Sequence, residues 1–367
     1  MELVNETPFQ AGWTLGFARD GRELLILVVK GTFAFPEGEE MPPLADEQLS
    51  LVEADRFTGE PGFSAVLEEV DYAHYKPACD VLLNGSARAP GGRPVERVTV
   101  SLQVGSSVAK SFDVVGNRQL HRTVLQGHRA TAPEAFLAMP ITYDHAFGGV
   151  DRDASRPEKV ATYGKNPVGV GYYPLAHDEN LEGRPLPNTE ESGRSVSSRN
   201  GSYEPMSFGP VGRNFASRYP LAGTYDQQWL NSRAPFWPDD FDYAYFQSAP
   251  RDQQMPYPHG GERVILRNLT PTGLTSWQLP VTPMPFAIIR RNEVPEVREA
   301  VIDTILIDSD AGRFSMTWRT AIALKRDCFE IAQVIAGRAS IRPPEPSPTT
   351  PRFRSISEFI AWKKRRV

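Results

Sequence analysis

The stretch VTVSLQVGSSVAKSFDVV, residues 98–115, carries the clearest structural pattern in the chain. From Val98 to Val104, apolar and polar side chains alternate, which is typical of a strand buried on one face. A Gly-Ser-Ser turn follows, and residues 108–115 can pair back as the second strand. The stretch therefore predicts a β-hairpin and indicates a fold built from antiparallel strands.

Similar patterns lie on both sides of this hairpin. Residues 24–29 (LLILVV) form a continuous apolar run, the pattern of a strand buried on both faces. Strand periodicity returns at 262–269 and in a second hairpin with arms 303–307 and 314–319. We therefore predict a mainly β protein with an antiparallel, sandwich-like scaffold.

Three stretches have less regular patterns. Asn84-Gly85 predicts a tight turn, since both residues tolerate positive φ. Residues 186–202 are polar and rich in serine, so we expect a mobile loop there. Residues 328–336 fit one face of a helix and one face of a strand, and both assignments stay open.

The middle of the chain has no regular periodicity. Within it, residues 203–254 concentrate tyrosine, tryptophan and phenylalanine among prolines and aspartates; we call this stretch the aromatic segment. Rings of this size bury large apolar areas, so the segment should form ordered, irregular loops on the β scaffold. The predicted regions are an N-terminal β region 1–130, an irregular central region 131–261 with long loop insertions, and a C-terminal β region 262–340.

The end of the chain has a different composition. Five prolines make 341–354 an extended linker. Residues 355–367 carry a capping-box pattern, apolar residues at helical spacing and a basic last turn, which predict a short amphipathic C-terminal helix. This helix either docks on another molecule or folds back on its own sheet.

Composition limits the classes of function. The 367 residues carry a formal net charge of −5, with no basic face suited to nucleic acid. No apolar run approaches the roughly 20 residues of a membrane helix, and no signal peptide is visible. Two cysteines, Cys79 and Cys328, indicate a reducing compartment. We expect a cytoplasmic protein that binds neither nucleic acid nor membrane.

Motifs of catalysis are scarce. The six histidines are scattered, and no metal-ligand spacing, nucleotide-binding loop or nucleophile elbow occurs. We therefore expect no metal, no cofactor and no enzymatic activity. One alternative remains, because Asp226 and Asp240 with Trp229 could form the acid pair and stacking ring of a carbohydrate-binding or glycan-cleaving site. The same aspartates could instead serve as turn and cap residues.

A protein-binding surface is the other hypothesis for the aromatic segment. Buried rings and arginines usually carry most of the energy of an interface. The candidate partner-binding residues are Tyr225, Asp226, Trp229, Arg233, Phe236, Trp237 and Tyr245. Each of these rings could equally belong to the core.

Ordered motifs along the chain carry a family resemblance. They include Asn5-x-Thr7-Pro8-Phe9, Val29-Lys30-Gly31-Thr32-Phe33, Lys76-Pro77-x-x-Asp80, Ala146-Phe147-Gly148-Gly149, Asn166-Pro167-Val168-Gly169, Phe208-Gly209-Pro210, Ala222-Gly223-Thr224-Tyr225-Asp226 and Asn268-Leu269-Thr270-Pro271. Over residues 1–320 the chain resembles a bacterial family of domains of unknown function encoded beside type VI secretion spike, PAAR and effector genes.

The resemblance implies a non-catalytic adaptor, or chaperone, that binds a secreted effector and helps load it on the spike. Its implied partners are proteins, namely the effector and the spike or PAAR protein. No catalytic residues are carried over from the family. A structural component of the secretion particle is a further alternative. The oligomeric state, the partner's identity and the role of the terminal linker and helix stay open.

Overall fold

The computed structural model describes residues 1–38, 40–123, 127–291 and 293–340. The predicted proline-rich linker 341–354 and C-terminal helix 355–367 lie outside the described residues. Within the described residues the first strands are β1 Glu2–Asn5, β2 Gln10–Phe17, β3 Glu23–Ala34, β4 Arg56–Phe57, β5 Val66–Glu68, β6 Cys79–Asn84, β7 Ser86–Arg88, β8 Arg97–Val104 and β9 Val108–Val115.

The central strands are short. They are β10 Leu120–Thr123, β11 Gly127–Ala130, β12 Ala138–Pro140, β13 Phe147–Gly148, β14 Val150–Arg152, β15 Val160–Thr162, β16 Val170–Gly171, β17 Thr189–Glu190 and β18 Gln254–Met255. The last strands are β19 Arg263–Arg267, β20 Leu274–Gln278, β21 Pro285–Arg290, β22 Glu296–Glu299, β23 Val301–Asp308, β24 Arg313–Ala323 and β25 Ile331–Ala336.

Helical structure in the described residues is limited to short pieces. The α-helix α1, Gln227–Ser232, lies in the aromatic segment. Turns of 3₁₀-helix occur at Pro90–Gly92, Tyr143–His145, Asp178–Asn180, Tyr219–Ala222, Tyr243–Phe246, Arg251–Gln253 and Cys328–Glu330.

Three sheets form the scaffold. The first has six strands in the order β18-β6-β23-β24-β3-β2, the second has five in the order β17-β9-β8-β19-β20, and the third has four in the order β1-β25-β21-β22. Most neighbours are antiparallel, but β6 pairs with β23, and β1 with β25, in parallel. The remaining strands pair in two-stranded ribbons.

The main core lies between the six-stranded and five-stranded sheets. Trp277 of β20 stacks on Phe314 of β24 with ring centroids 5.2 Å apart. Phe112 of β9 contacts Phe208 at 4.6 Å. Valines and leucines from both sheets fill the space between these pairs and are fully buried. The predicted mainly β, sandwich-like fold is confirmed.

The strand patterns of the sequence are confirmed as well. Strands β8 and β9 form the predicted hairpin, with Val104 opposite Val108. The apolar run at 24–29 lies inside β3, and its residues 25–29 are fully buried, as expected for a strand covered on both faces. Strands β23 and β24 form the second hairpin.

The predicted tight turn at Asn84-Gly85 is wrong. Asn84 ends β6, and Gly85, with φ 149°, bends the chain without reversing it. The chain continues into β7, which pairs with β12 in a separate ribbon. A Cβ atom at position 85 would lie 2.0 Å from Ser309 Oγ. Glycine is therefore required because Ser309 approaches the main chain closely here, and not because the chain forms a hairpin.

Two other stretches take definite structures. Within 186–202, where a mobile loop is predicted, residues 186–190 are buried and β17 pairs with β9. Glu190 accepts a hydrogen bond there from the buried guanidinium of Arg118. Residues 331–336 form a strand, β25, after a 3₁₀ turn.

The sheets mix strands from distant parts of the chain. Strand β3 lies between β2 and β24, so residues from 1–130 and from 262–340 share one sheet. The central region adds β17 and β18 at sheet ends. The division into sequence regions stays a prediction.

Candidate functional site

Apart from its start around Phe208, which lies in the main core, the aromatic segment packs largely on the face of the six-stranded sheet that points away from that core. Alternation in β6 sends Val81 and Leu83 into that core and Asp80 to the opposite face. There the Asp80 carboxylate accepts hydrogen bonds from Gln247 Nε2 at 2.6 Å and from the Ser248 amide at 2.8 Å. Asp80 therefore joins the sheet to the segment.

The sheet face beneath the segment carries buried ion pairs. Lys76 Nζ lies 2.8 Å from Asp80 Oδ2, and Lys30 Nζ lies 3.0 Å from Asp71 Oδ2. On β24, Arg319 Nε lies 2.5 Å from Asp303 Oδ2. Each charge has an opposite partner, so paired polar contacts help to hold this face to its neighbours.

Arg218 fixes the middle of the segment. Its guanidinium donates to both carboxylate oxygens of Glu69, to Val211 O at 2.7 Å and to Tyr245 O at 2.8 Å. Only 2% of the residue is exposed. One side chain thus binds three parts of the chain that are far apart in sequence.

The second half of the segment packs against the edge strand β2. Trp237 donates from Nε1 to Phe17 O at 2.9 Å and stacks on the buried Phe241 at 4.3 Å. The Phe236 ring meets the Phe17 ring edge-on at 5.4 Å. His74 lies between, stacked on Phe246 at 5.4 Å. Burial lowers the pKa of His74, and the charge of Arg319 lowers it further.

An open cleft of about 350 Å³ forms where the segment meets β2. Its walls are Leu15, Gly16, Phe17, His74, Tyr225, Pro235, Phe236 and Trp237. Three of the predicted partner-binding residues, Tyr225, Phe236 and Trp237, come together here. Tyr225 is 52% exposed.

Sequence reasoning missed the contribution of β2. Trp13, Leu15 and Phe17 project from alternate positions of this strand and are 39%, 37% and 40% exposed. The signal was present, because residues 10–17 (QAGWTLGF) alternate large apolar residues with glycine and threonine. It is weak because glycine interrupts the usual composition of a strand.

The other predicted residues lie outside this cleft. Asp226, Trp229 and Arg233 line a shallower depression of about 150 Å³ together with Asp240. Trp229 Nε1 donates to Phe236 O at 2.8 Å, and Arg233 donates to Arg19 O at 2.8 Å. These contacts hold the loop together.

Tyr245 packs elsewhere in the aromatic segment. Its ring lies under the Arg218 guanidinium, 5.6 Å from ring centroid to Cζ, and its edge meets Phe241 at 6.0 Å. The ring is half-buried. In this position Tyr245 supports the arginine that fixes the segment.

The aspartates of the depression have local structural partners. Asp226 caps α1 by accepting from the Trp229 amide at 2.8 Å. Asp240 accepts from the amide of Thr224 at 2.9 Å and from its hydroxyl at 2.7 Å. These bonds, the amide first, lower the pKa of Asp240. A glycosidase proton donor needs a raised pKa instead.

A larger cavity of about 500 Å³ lies between the aromatic segment and β9. Its charged residues are largely paired inside the protein: Lys110 Nζ with Asp252 at 3.2 Å, Lys165 with Glu204, and Arg218 with Glu69. Burial raises the pKa of Tyr143, and the charges of Asp252 and Glu204 raise it further. The pairing leaves little net charge to select an ionic ligand.

Metal and membrane sites were also sought in the described part of the chain. Among those residues, no group of three or more histidine, cysteine, aspartate or glutamate side chains is arranged to hold a metal ion. None of the helices described there has the length and apolar character needed to cross a membrane.

Comparison with known proteins identifies a family. A family model described as an uncharacterized protein conserved in bacteria, DUF2169, matches residues 20–319. No curated protein and no solved structure matches the chain. The matched span includes the aromatic segment and begins just after β2. Because the match covers well over half of its residues, the chain belongs to the bacterial family DUF2169.

Proposed function

We propose that this protein is a non-catalytic adaptor of a type VI secretion system that binds an effector and helps load it on the spike. The observation that carries the proposal is the cluster of exposed apolar side chains around the 350 Å³ cleft. Contiguous exposed rings with a polar rim are typical of protein-binding surfaces. The secretion role itself rests on the sequence motifs and their resemblance to proteins encoded beside effector genes.

The geometry of the cleft suits a docking role. Its rings are held by the contacts of Trp237 with Phe17 O and of Phe236 with the Phe17 ring. A pre-organised surface loses less side-chain entropy on binding than a mobile one. Aspartates 226, 239 and 240 lie exposed in the neighbouring depression and provide a polar rim.

Binding to the effector encoded beside this gene tests the proposal. The double variant Tyr225→Ala, Phe17→Ala should weaken binding by at least about 30-fold, the loss expected for two interface anchors. Phe63 and Phe329 are 73% and 70% exposed and lie outside the cleft, so Phe63→Ala and Phe329→Ala are matched controls. Calorimetry measures affinity, and circular dichroism verifies the fold. An unchanged affinity excludes this surface, and no binding to effector or spike protein overturns the function.

A carbohydrate site is the second candidate. The observation in its favour is that Asp226, Asp240, Trp229 and Arg233 share one depression. Glycan-array binding that Trp229→Ala removes would support it. The adaptor is expected to bind no glycan.

A further inference from the structure

We propose that the free edge of β2 binds the partner by strand addition, with an extended, uncharged segment of the partner protein pairing along residues 11–17. This inference deepens the proposed adaptor function and rests on it. Strand β2 is the last strand of the six-stranded sheet, and within the described residues it pairs with β3 alone.

The main-chain geometry shows which groups face outward. The β2–β3 hairpin closes with the Ala18 amide donating to Arg22 O at 2.9 Å, and Gly21 donates to Ala18 O at 2.9 Å. Ala18 and Arg22 thus form a hydrogen-bonded pair, and in an antiparallel ladder hydrogen-bonded and non-hydrogen-bonded pairs alternate. Counting back along β2, the non-hydrogen-bonded positions are Phe17, Leu15, Trp13 and Ala11. The N–H and C=O groups of these four residues therefore point away from β3.

Two of these outward carbonyls already accept side-chain hydrogen bonds. Leu15 O accepts a long one, 3.5 Å, from the neighbouring Thr14 Oγ1. Phe17 O accepts the hydrogen bond from Trp237 Nε1. In the described part of the chain, no other main-chain group pairs with the outward edge at Ala11, Trp13 or Leu15. The edge thus offers a row of donors and acceptors at the spacing that an extended peptide requires.

The sequence of β2 lacks the usual protection of an edge strand. Natural edges are kept short or carry lysine, proline or a bulge. Strand β2 is eight residues long, has no charged residue and no proline, and pairs with β3 in unbroken register. At the other end of the same sheet, β18 has only two residues. In the four-stranded sheet, the edge strand β22 (EVRE) is charged.

The two faces of β2 differ. On one face, a Cβ on Gly12 would lie 2.3 Å from Tyr72 Oη and one on Gly16 would lie 2.2 Å from His74, so this face is closely covered. The other face presents Trp13, Leu15 and Phe17 to solvent. Side chains of an added strand would lie beside this row, and one large side chain could enter the cleft next to Phe17.

The charge distribution selects the occupant. Residues 7–18 have no charge, whereas Glu6 precedes them and Arg19 and Asp20 follow. A charged partner side chain opposite the apolar row would lose hydration without gaining an ion pair. A helix would leave the outward main-chain groups unpaired. An extended segment with apolar residues at alternate positions would pair with the outward main-chain groups and would also pack its apolar side chains beside Trp13, Leu15 and Phe17.

A peptide probe tests strand addition without the natural partner. The probe is fluorescein-labelled TVTFTVT amide, with matched versions N-methylated at every second residue in both phases. The unmodified peptide should bind with a dissociation constant of about 10⁻⁴ M, the weak range for a short strand. The version methylated at the N–H groups that face β2 should bind at least about tenfold more weakly, because those groups can no longer donate to the strand edge. Hydrogen exchange should slow at Ala11, Trp13 and Leu15.

Variants of the edge complete the test. Leu15→Pro removes an outward N–H that β3 does not use, and Trp13→Lys adds a charge to the row; both should lower peptide binding at least about tenfold. If Leu15→Pro fails to fold, peptide binding by Trp13→Lys still tests strand addition. Leu274, an exposed leucine on the edge strand β20, provides the control Leu274→Lys, which should bind as the native chain does.

The outcomes separate the two proposals. Equal binding of both methylated phases, no binding of the peptide, or a homodimer that Leu15→Pro dissociates would each overturn strand addition. An effector that binds the native chain and Leu15→Pro equally would also overturn it while the adaptor function stands. A peptide that binds the edge of a chain with no affinity for effector or spike protein would overturn the adaptor function alone.

Discussion

At the scale of single residues, His74 links the aromatic segment to the edge strand. Its ring lies under Gly16, is stacked on Phe246, and meets Trp237 edge-on at 5.3 Å. Nδ1 is buried and has no hydrogen-bond partner among the described residues. Protonation would therefore place a charge in an apolar site close to Arg319.

We predict that His74 makes stability depend on pH. Because burial lowers its folded pKa below the ordinary 6.5, the unfolded chain binds the proton more readily. The contribution is complete above pH 6.5 and is lost as the pH falls from there toward the folded pKa. In urea unfolding between pH 8 and 5, His74→Phe should lose less stability on acidification than the native chain. His259→Gln, at an exposed histidine, is the control; equal acid sensitivity of His74→Phe and the native chain would contradict the prediction.

At the scale of elements, the aromatic segment covers the sheet with little regular secondary structure, yet specific contacts hold it in one arrangement. Its order comes from side chains that bind main-chain groups, such as Gln253 Nε2, which donates to Val81 O at 2.7 Å and to Phe208 O at 2.9 Å. Buried polar groups of this kind hold a loop in one arrangement because leaving them unpaired is costly.

Removing Arg218 should release this layer. Arg218→Met removes the bidentate partner of Glu69, which keeps only the longer ion pair with Arg213 at 3.6 Å, and should reduce the free energy of unfolding by about 3 kcal/mol. Limited proteolysis should then cut within residues 203–254 first. Arg22→Met is the control, since Arg22 and its partner Asp20 are 66% and 53% exposed and a surface pair contributes about 1 kcal/mol or less. Equal losses in the two variants would show that Arg218 is not the main attachment.

At the scale of the whole molecule, the main core depends on strands from both ends of the chain. Eleven residues of β3 pair with β24, almost 300 positions later in sequence. Contacts of such separation cannot form until most of the chain is present.

Fragments should therefore fail to fold. We predict that residues 1–130 and residues 131–340, produced separately, show no dispersed amide spectrum, because β3 loses β24 and the core is exposed. Residues 1–340 in one chain should give a folded spectrum. A folded 1–130 fragment would show instead that the N-terminal strands form a core of their own.

The candidate site was only partly predictable. Clustered rings marked residues 203–254, yet similar residues have opposite environments: Phe241 is 1% exposed and Tyr225 is 52% exposed. Nothing local distinguishes them, because exposure depends on what packs against each ring. The row on β2 adjoins the segment only through the fold, since more than 200 residues separate Phe17 from Trp237.

The sequence by itself determined the mainly β class and the positions of β3, β8, β9, β23 and β24, because the pattern of apolar side chains is a local property of each strand. The hairpins β8–β9 and β23–β24 followed for the same reason, since their partners are adjacent in the chain. Only the tertiary structure decided that β2 ends a sheet, that the charges of Asp80 and Arg319 are buried in pairs, and that the rings of two distant segments share a cleft. Those features arise from pairing between remote segments, which no local pattern encodes.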